Sequence, residues 1–430
     1  MKYKIFFLSF IISIFILLFI SLFFYFIATS NPTKLSFIEN FLPNNLKFLV
    51  KEKVCKYQYY VPEFHNETIF PQTQFVKLDY KETKINNLES RKSYFADRKK
   101  NGEKATPFYI ESIENKNILV SAGGTTLLYK TLDFIDNKNS KSLEIGNNLP
   151  DNITVDDTLI YENKLFISFR DRNKSCNNRE IYFADLNFEY LKFREFYSHG
   201  SNGNCKSGVF GGRLAIYNDK GSPSIIVSTK FPKNDNYPLL KNYNEDRELI
   251  ILLIDIKTKK SRPISAGHRN PQGLYVNNEN VILSTEHGPR GGDEINKIIE
   301  GKNYGWPTSS YGENYGSKDK NFSYKKNHSQ FKFEEPIYAF VPSIGISQII
   351  KVPEEFSSKW KNNYLITSLR GLSLYRVQLD DKFSRIITME KIRIGKRIRD
   401  ISYNKKYNSF IVALENGEGS VGFISVKPTN

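Results

Sequence analysis

Six short apolar segments recur along the chain and constrain its fold more than any other feature. They are 118–121 (ILVS), 165–168 (LFIS), 225–228 (IIVS), 281–284 (VILS), 365–368 (LITS) and 411–413 (IVA), spaced about 45 to 84 residues apart. Each is apolar without alternation, ends on a small residue and opens into a loop. A short apolar run bounded by turns is the pattern of a strand buried on both faces. Periods of this size suit four-stranded propeller blades carrying insertions. The expected fold is all-β: one closed six-bladed β-propeller over residues 105–430. The runner-up, an array of β-sandwiches, calls for stricter in/out alternation.

Equivalent strands of a propeller deliver their following loops to one face. Those loops read SAGG, SFRDR, STK, STEHGPR, SLRG and ALENG. The densest chemistry follows the fourth segment, and arginines follow the second and fifth. Convergence at one end of the central channel is the expectation.

Phe and Tyr are plentiful, at 33 and 26, against two Met and two Trp. Aromatic content of this kind favours strands. The formal charge of +16 is carried mainly by lysine. It reads either as a solvated surface or as attraction to anionic lipid, glycan or cofactor. No Lys/Arg run with interleaved aromatics points to nucleic acid.

The N-terminus is MKYK followed by about 23 uncharged residues, Ile5 to Ile27. That length spans a bilayer and exceeds the usual signal-peptide core. Residues 1–30 are expected to form a signal-anchor transmembrane helix, with a cleaved signal as the alternative. Lys2 and Lys4 would hold the N-terminus in the cytoplasm. The rest would then face the periplasm or exterior. Residues 31–104 read as a stalk and lead-in, with 81–104 as polar linker. Outside the cytoplasm a Cys176–Cys205 disulfide is expected, with two buried free thiols as the alternative; Cys55 has no assigned partner.

The run 267–307, GHRNPQGLYVNNENVILSTEHGPRGGDEINKIIEGKNYGWP, concentrates the polar chemistry. Arg269 offers a planar fork of donors suited to carboxylates, beside Asn270. Gly288 and Pro289 expose loop carbonyls, and Asp293 and Glu294 add acids, the oxygen set that hard cations such as Ca²⁺ take. In GKRIRD, strand alternation puts Arg397 and Arg399 on one face. Two inward arginines in a channel call for an anion, and Arg370 from the fifth loop can join them. An exposed edge or structural ion pairs are the plainer readings of these arginines. His65, His268 and His328 read as ordinary polar or structural residues.

The run 267–307 resembles the signature of the glucose/sorbosone dehydrogenase family, six-bladed propellers that oxidise sugars with pyrroloquinoline quinone (PQQ) held on Ca²⁺. The resemblance is strong there, moderate over 364–400, and rests on strand pattern before residue 205. It implies that Arg269 and Asn270 contact the quinone and that Gly288 and Pro289 carbonyls hold the Ca²⁺. It implies a second Ca²⁺ on Glu294 and Tyr304, and a grip on the PQQ carboxylates by Arg370, Arg397 and Arg399. Two departures stand out. The run Val209-Phe210-Gly211-Gly212-Arg213 has valine where the family keeps its hydride-abstracting histidine, and the family's earlier Gly-rich PQQ contact has no counterpart near 151–159. His199 is a candidate relocated base, whereas His287 belongs to the motif itself. The function implied is a PQQ- and calcium-dependent aldose dehydrogenase acting on a sugar C1 hydroxyl. The alternatives are a non-catalytic extracytoplasmic propeller that binds a glycan, quinone or protein, and a purely structural one.

Overall fold

The computed structural model describes residues 76–85, 98–100, 103–136, 142–171, 179–199, 211–230, 249–314, 323–417 and 419–427. The expected transmembrane segment, all three cysteines and Val209 lie outside the described residues. Among the described residues no helix is long and apolar enough to cross a membrane.

Among the described residues, six sheets of four or five strands are arranged as propeller blades, and two small two-stranded pairings lie outside them. Blade 1 holds Phe108–Ile113, Lys116–Ser121, Thr126–Lys130 and Leu143–Glu144, and blade 2 holds Ile153–Tyr161, Lys164–Asp171, Arg179–Asp185 and Arg194–His199. Blade 3 holds Leu214–Asp219, Ser222–Lys230, Leu249–Asp255 and Ser261–His268, with Lys302–Asn303 added in parallel at its edge. Blade 4 holds Pro271–Val276, Ile282–Glu286, Asp293–Ile298 and Tyr338–Phe340. Blade 5 holds Ile346–Lys351, Asn363–Ser368, Ser373–Leu379 and Ile386–Arg393. Blade 6 holds Ile398–Asn404, Ser409–Leu414 and Ser420–Val426, and its outermost strand is Leu78–Lys84.

That last strand corrects the expected boundary. Leu78–Lys84 pairs along its whole length with Ser420–Val426, from Leu78 opposite Val426 to Lys84 opposite Ser420. A strand from before blade 1 thus completes blade 6 and closes the ring, leaving fewer exposed edges. The polar composition that reads as linker is that of an outermost strand, whose side chains are largely half-exposed.

All six repeated segments occupy the second strand of their blade, not the innermost one. Their continuous apolarity follows from blade stacking. Ile118 and Val120 pack towards blade 2, while Leu119 between them packs towards blade 6. Ile225 and Val227 likewise face blade 2 and Ile226 faces blade 4. Every position is therefore buried, and the period-2 signal of a half-exposed sheet is lost.

Four of the innermost strands carry a β-bulge at the same end. The ladder skips between Val155 and Asp157 in blade 2, between Pro271 and Gly273 in blade 4, between Ile346 and Ile349 in blade 5, and between Ile398 and Asp400 in blade 6. A bulge leaves its extra residue out of the ladder and re-aims its side chain. The residues released are Asp156, Gln272, Ser347 with Gln348, and Arg399.

Candidate functional site

The loop after the second strand of blade 4 turns back at Gly288. A Cβ there would lie 2.1 Å from the Gly292 carbonyl oxygen, so only glycine fits this close approach. Asp293 staples the loop: its Oδ1 accepts from Gly288 N at 3.1 Å and its Oδ2 from Ile346 N at 3.0 Å. Asp293 thus turns one lone pair of each oxygen to the backbone. Buried Glu286 accepts from Asn296 Nδ2 at 2.6 Å and from Arg269 N at 3.0 Å, and its Oε1 lies 3.1 Å from His268 Nδ1. Ser265 lies 2.9 Å from the other nitrogen of His268. This Ser-His-Glu arrangement has a hydrolase's order, but Ser265 and His268 are fully buried, and the arrangement orients the loop that carries Arg269.

Most of the expected ligand-gripping side chains meet in one hydrogen-bonded network. Arg269 Nη1 donates to the His287 carbonyl at 2.8 Å, and its guanidinium lies 5.1 Å from the Trp306 ring centre. Asn270 Nδ2 faces His287 Nδ1 at 3.4 Å. The Asn270 Oδ1 accepts from Gln272 Nε2 at 2.9 Å and from Gly211 N at 3.1 Å. Gln272 Oε1 in turn accepts from Arg399 Nη1 at 3.1 Å. Arg399 and Arg397 share the Glu415 carboxylate, with Nε–O distances of 2.8 and 2.7 Å. Arg397 also reaches the Leu369 carbonyl at 3.4 Å, one residue from Arg370, whose side chain is exposed.

Glu415 changes the charge argument. The anion that inward Arg397 and Arg399 call for is in part this carboxylate, which is 1% exposed and clamps both. Burial alone would raise its pKa, yet the two guanidiniums outweigh that and hold it at about 2. Two positive charges still share one negative charge. Arg269 and Arg370 form no ion pair among the described residues. Burial pushes the His287 imidazole down to about 4, helped by Arg399 and Arg269, so it is neutral at physiological pH.

Beside this network lies a small, partly open hollow, lined among others by Arg269, His287, Gly288, Glu294, Tyr304 and Trp306. Glu294 is buried, and its burial beside the Glu286 carboxylate pushes its pKa well above the usual range. Tyr304 lines the same hollow, but its hydroxyl donates to the Lys297 carbonyl and accepts from Ile299 N, and its ring stacks on His268. That hydroxyl is therefore unavailable to a metal. Among the described residues no three His, Cys, Asp or Glu side chains group to hold a metal ion. His199 ends the outer strand of blade 2, opposite Arg179, and its side chain lies outside the described residues.

Sequence reasoning missed Asp156, Gln272, Ser347 and Glu415. The first three are bulge residues, and no local signal marks a bulge. Glu415 stood in the sixth repeat loop, ALENG, where its position after a repeated strand was the available clue.

Residues 254–422 match the family described as Glucose / Sorbosone dehydrogenase. An aldose sugar dehydrogenase of Escherichia coli is 29% identical over 238 residues, which are 51% of this chain and 60% of that protein. The quinoprotein glucose dehydrogenase B of Acinetobacter calcoaceticus is 34% identical over 113 residues, 26% of this chain and 22% of that one. The chain thus spans less than two thirds of either relative. The PQQ-bound aldose sugar dehydrogenase of Streptomyces coelicolor superposes with a TM-score of 0.53 at 15% identity, covering 82% of this chain and 99% of that one, and establishes the fold. Residues 254–422 are thus similar to the glucose/sorbosone dehydrogenase family, and the propeller fold extends around that matched region.

Proposed function

We propose that the protein is a PQQ-dependent aldose dehydrogenase-like propeller, with the quinone lying over the Arg269–Asn270–Arg399 network. The observation that carries this is the charge balance of that network. Arg397 and Arg399 share one carboxylate, Arg269 and Arg370 have none among the described residues, and the buried Arg269 Nε makes no hydrogen bond. A half-buried guanidinium without a carboxylate, as at Arg269, is costly, and the exposed Arg370 adds a further positive charge, so the site favours a multiply anionic ligand. A tricarboxylate quinone fits that demand.

When bound, PQQ would accept the hydride from a sugar C1. The chain's own residues do the rest. Arg399 and Arg397, oriented by Glu415, would grip carboxylates with their remaining N–H edges. Arg269, backed by the Trp306 ring, would stabilise negative charge developing on the quinone oxygens. Neutral His287 adds no positive charge. The Gly288 and Pro289 carbonyls are the oxygens that would hold a Ca²⁺ polarising the quinone, as the resemblance implies. The Glu286–Glu294 acid pair beside Tyr304 favours a second cation, which would relieve two crowded carboxylates.

The proposal extends to location. The uncharged run within residues 1–30 would anchor the chain in a membrane, with the propeller in the periplasm or exterior. A second reading rests on one observation: the position of the family's catalytic histidine holds Val209, which accepts no proton. On that reading the protein binds the quinone, or a glycan in its place, without turnover. The test is the full chain loaded with PQQ and Ca²⁺ and assayed with an artificial electron acceptor on a panel of aldoses. Oxidation of an aldose supports the enzyme. PQQ binding with no turnover, restored by Val209→His, supports the binding reading, and loss of turnover in His199→Ala would identify His199 as the base.

A further inference from the structure

Arg213 is among the most buried charges in the molecule, at 2% exposure, and the reading above gives it no role. It stands just before the innermost strand of blade 3 and crosses the channel axis. Its Nη1 donates to Asp157 of blade 2 at 2.7 Å and to Asp400 of blade 6 at 2.9 Å. Its Nη2 donates to Ser347 Oγ of blade 5 at 3.3 Å and to the Arg399 carbonyl of blade 6 at 3.0 Å. Its guanidinium lies 5.0 Å from the ring centre of Tyr109 in blade 1. One side chain from blade 3 therefore touches four other blades.

The contact with Arg399 bears on the ligand site. Arg399 is the bulge residue of its strand, so its carbonyl has no ladder partner from Ser409–Leu414. Two donors replace that partner: Arg213 Nη2, and Ser347 Oγ at 2.6 Å. Without them the bulge has no reason to hold its present conformation, and the Arg399 side chain would lose its aim at Gln272 and Glu415. The chain preceding Arg213 is fixed as well. Gly211 N donates to Asn270 Oδ1, Gly212 N donates to Ser228 Oγ at 2.8 Å, and the Gly212 carbonyl accepts from Ser168 Oγ. One end of this segment thus holds Asn270 and the other holds Arg399.

We propose that Arg213 is a positioning residue: by pinning the Arg399 bulge from the channel axis, it sets the spacing between Arg399 and Asn270 across which an anionic ligand is gripped. The inference rests on the reading of Arg399 as a ligand-gripping residue. Lysine at 213 keeps a positive charge for Asp157 and Asp400 but lacks the fork needed to reach the Arg399 carbonyl at the same time.

The experiment is titration of the full-length protein with PQQ in the presence of Ca²⁺, followed by tryptophan fluorescence, since Trp306 lies beside Arg269. Wild type, Arg213→Lys, Ser347→Ala, Arg399→Ala and the two pairs with Arg399→Ala are compared, each shown to be folded by circular dichroism. Ser347→Ala removes the second donor to the same carbonyl, and one acceptor of Arg213 Nη2, while leaving the buried charges of Arg213, Asp157 and Asp400 in place. Arg213→Lys is expected to weaken binding roughly tenfold or more, the scale on which outer partners tune a gripping residue, and Ser347→Ala by a smaller factor. Both losses should vanish in the Arg399→Ala background, because each acts through Arg399. Binding within twofold of wild type in folded Arg213→Lys overturns the inference alone. So does a loss that persists undiminished without Arg399, which is what a merely structural role would give. Absence of PQQ binding in the wild type overturns the functional reading and the inference with it.

Discussion

Replacing Glu415 with glutamine tests the electrostatic core of the site. The carboxylate is 1% exposed and pairs with Arg397 at 2.5 Å and Arg399 at 2.8 Å. Its pKa falls from 4.5 to about 2. At about 1.4 kcal/mol per unit, that difference corresponds to roughly 3 kcal/mol of stability. Loss of one partner from a buried ion pair costs on the order of 3–5 kcal/mol, which agrees. The sign follows from the direction of the shift. A depressed carboxylate stabilises the fold above its unfolded pKa, and the contribution is lost as pH falls from about 4.5 through 2. Glu415→Gln should therefore lower the unfolding free energy at pH 7 by roughly 3 kcal/mol, measured by urea denaturation. The gap between variant and wild type should narrow as the pH is lowered towards 2. A variant within 1 kcal/mol of wild type at pH 7, or a gap that does not change with pH, would refute the reasoning.

Three further outcomes are expected. Burial pushes Asp157 up to about 7; a raised carboxylate binds its proton more tightly in the fold, so its contribution to stability is present at pH 4 and lost as pH rises towards 7. Asp157→Asn should remove that part of the pH slope in urea denaturation between pH 4 and 7, and an unchanged slope would argue against the assignment. Gly212 has φ +105°, and a Cβ there would lie 2.5 Å from both Arg179 Nη1 and Asp156 Cβ. Gly212→Ala should destabilise by roughly 2–4 kcal/mol, and an unfolding midpoint equal to wild type would contradict the packing described. Arg269→Ala should weaken PQQ binding by at least roughly tenfold, about 1.4 kcal/mol, in a protein of unchanged thermal midpoint; equal affinity would remove Arg269 from the site.

The architecture was legible because blade stacking writes itself into sequence. Leu119, Ile226 and Val412 are apolar between apolar neighbours because each second strand is covered on both faces. The run 267–307 was legible because Arg269, Asn270 and Gly288 depend on local turns. Closure of the ring was not, because the strand Leu78–Lys84 finds its partner more than 330 residues away and looks polar as an outermost strand must. The bulges were invisible for the same kind of reason: a single skipped pair in the ladder leaves no compositional trace. Alternation put Arg397 and Arg399 together, yet Arg399 is turned by a bulge and Arg397 precedes the strand, and what joins them is Glu415. Two inward arginines call for an anion, and Glu415 supplies one from within the chain.

The most direct test of the central claim is calorimetric titration of the full-length protein with PQQ, with and without Ca²⁺. The account predicts saturable one-to-one binding that strengthens with Ca²⁺ and weakens in the Arg399→Ala variant. No heat of binding in either condition, or binding that is indifferent to Arg399, would contradict it.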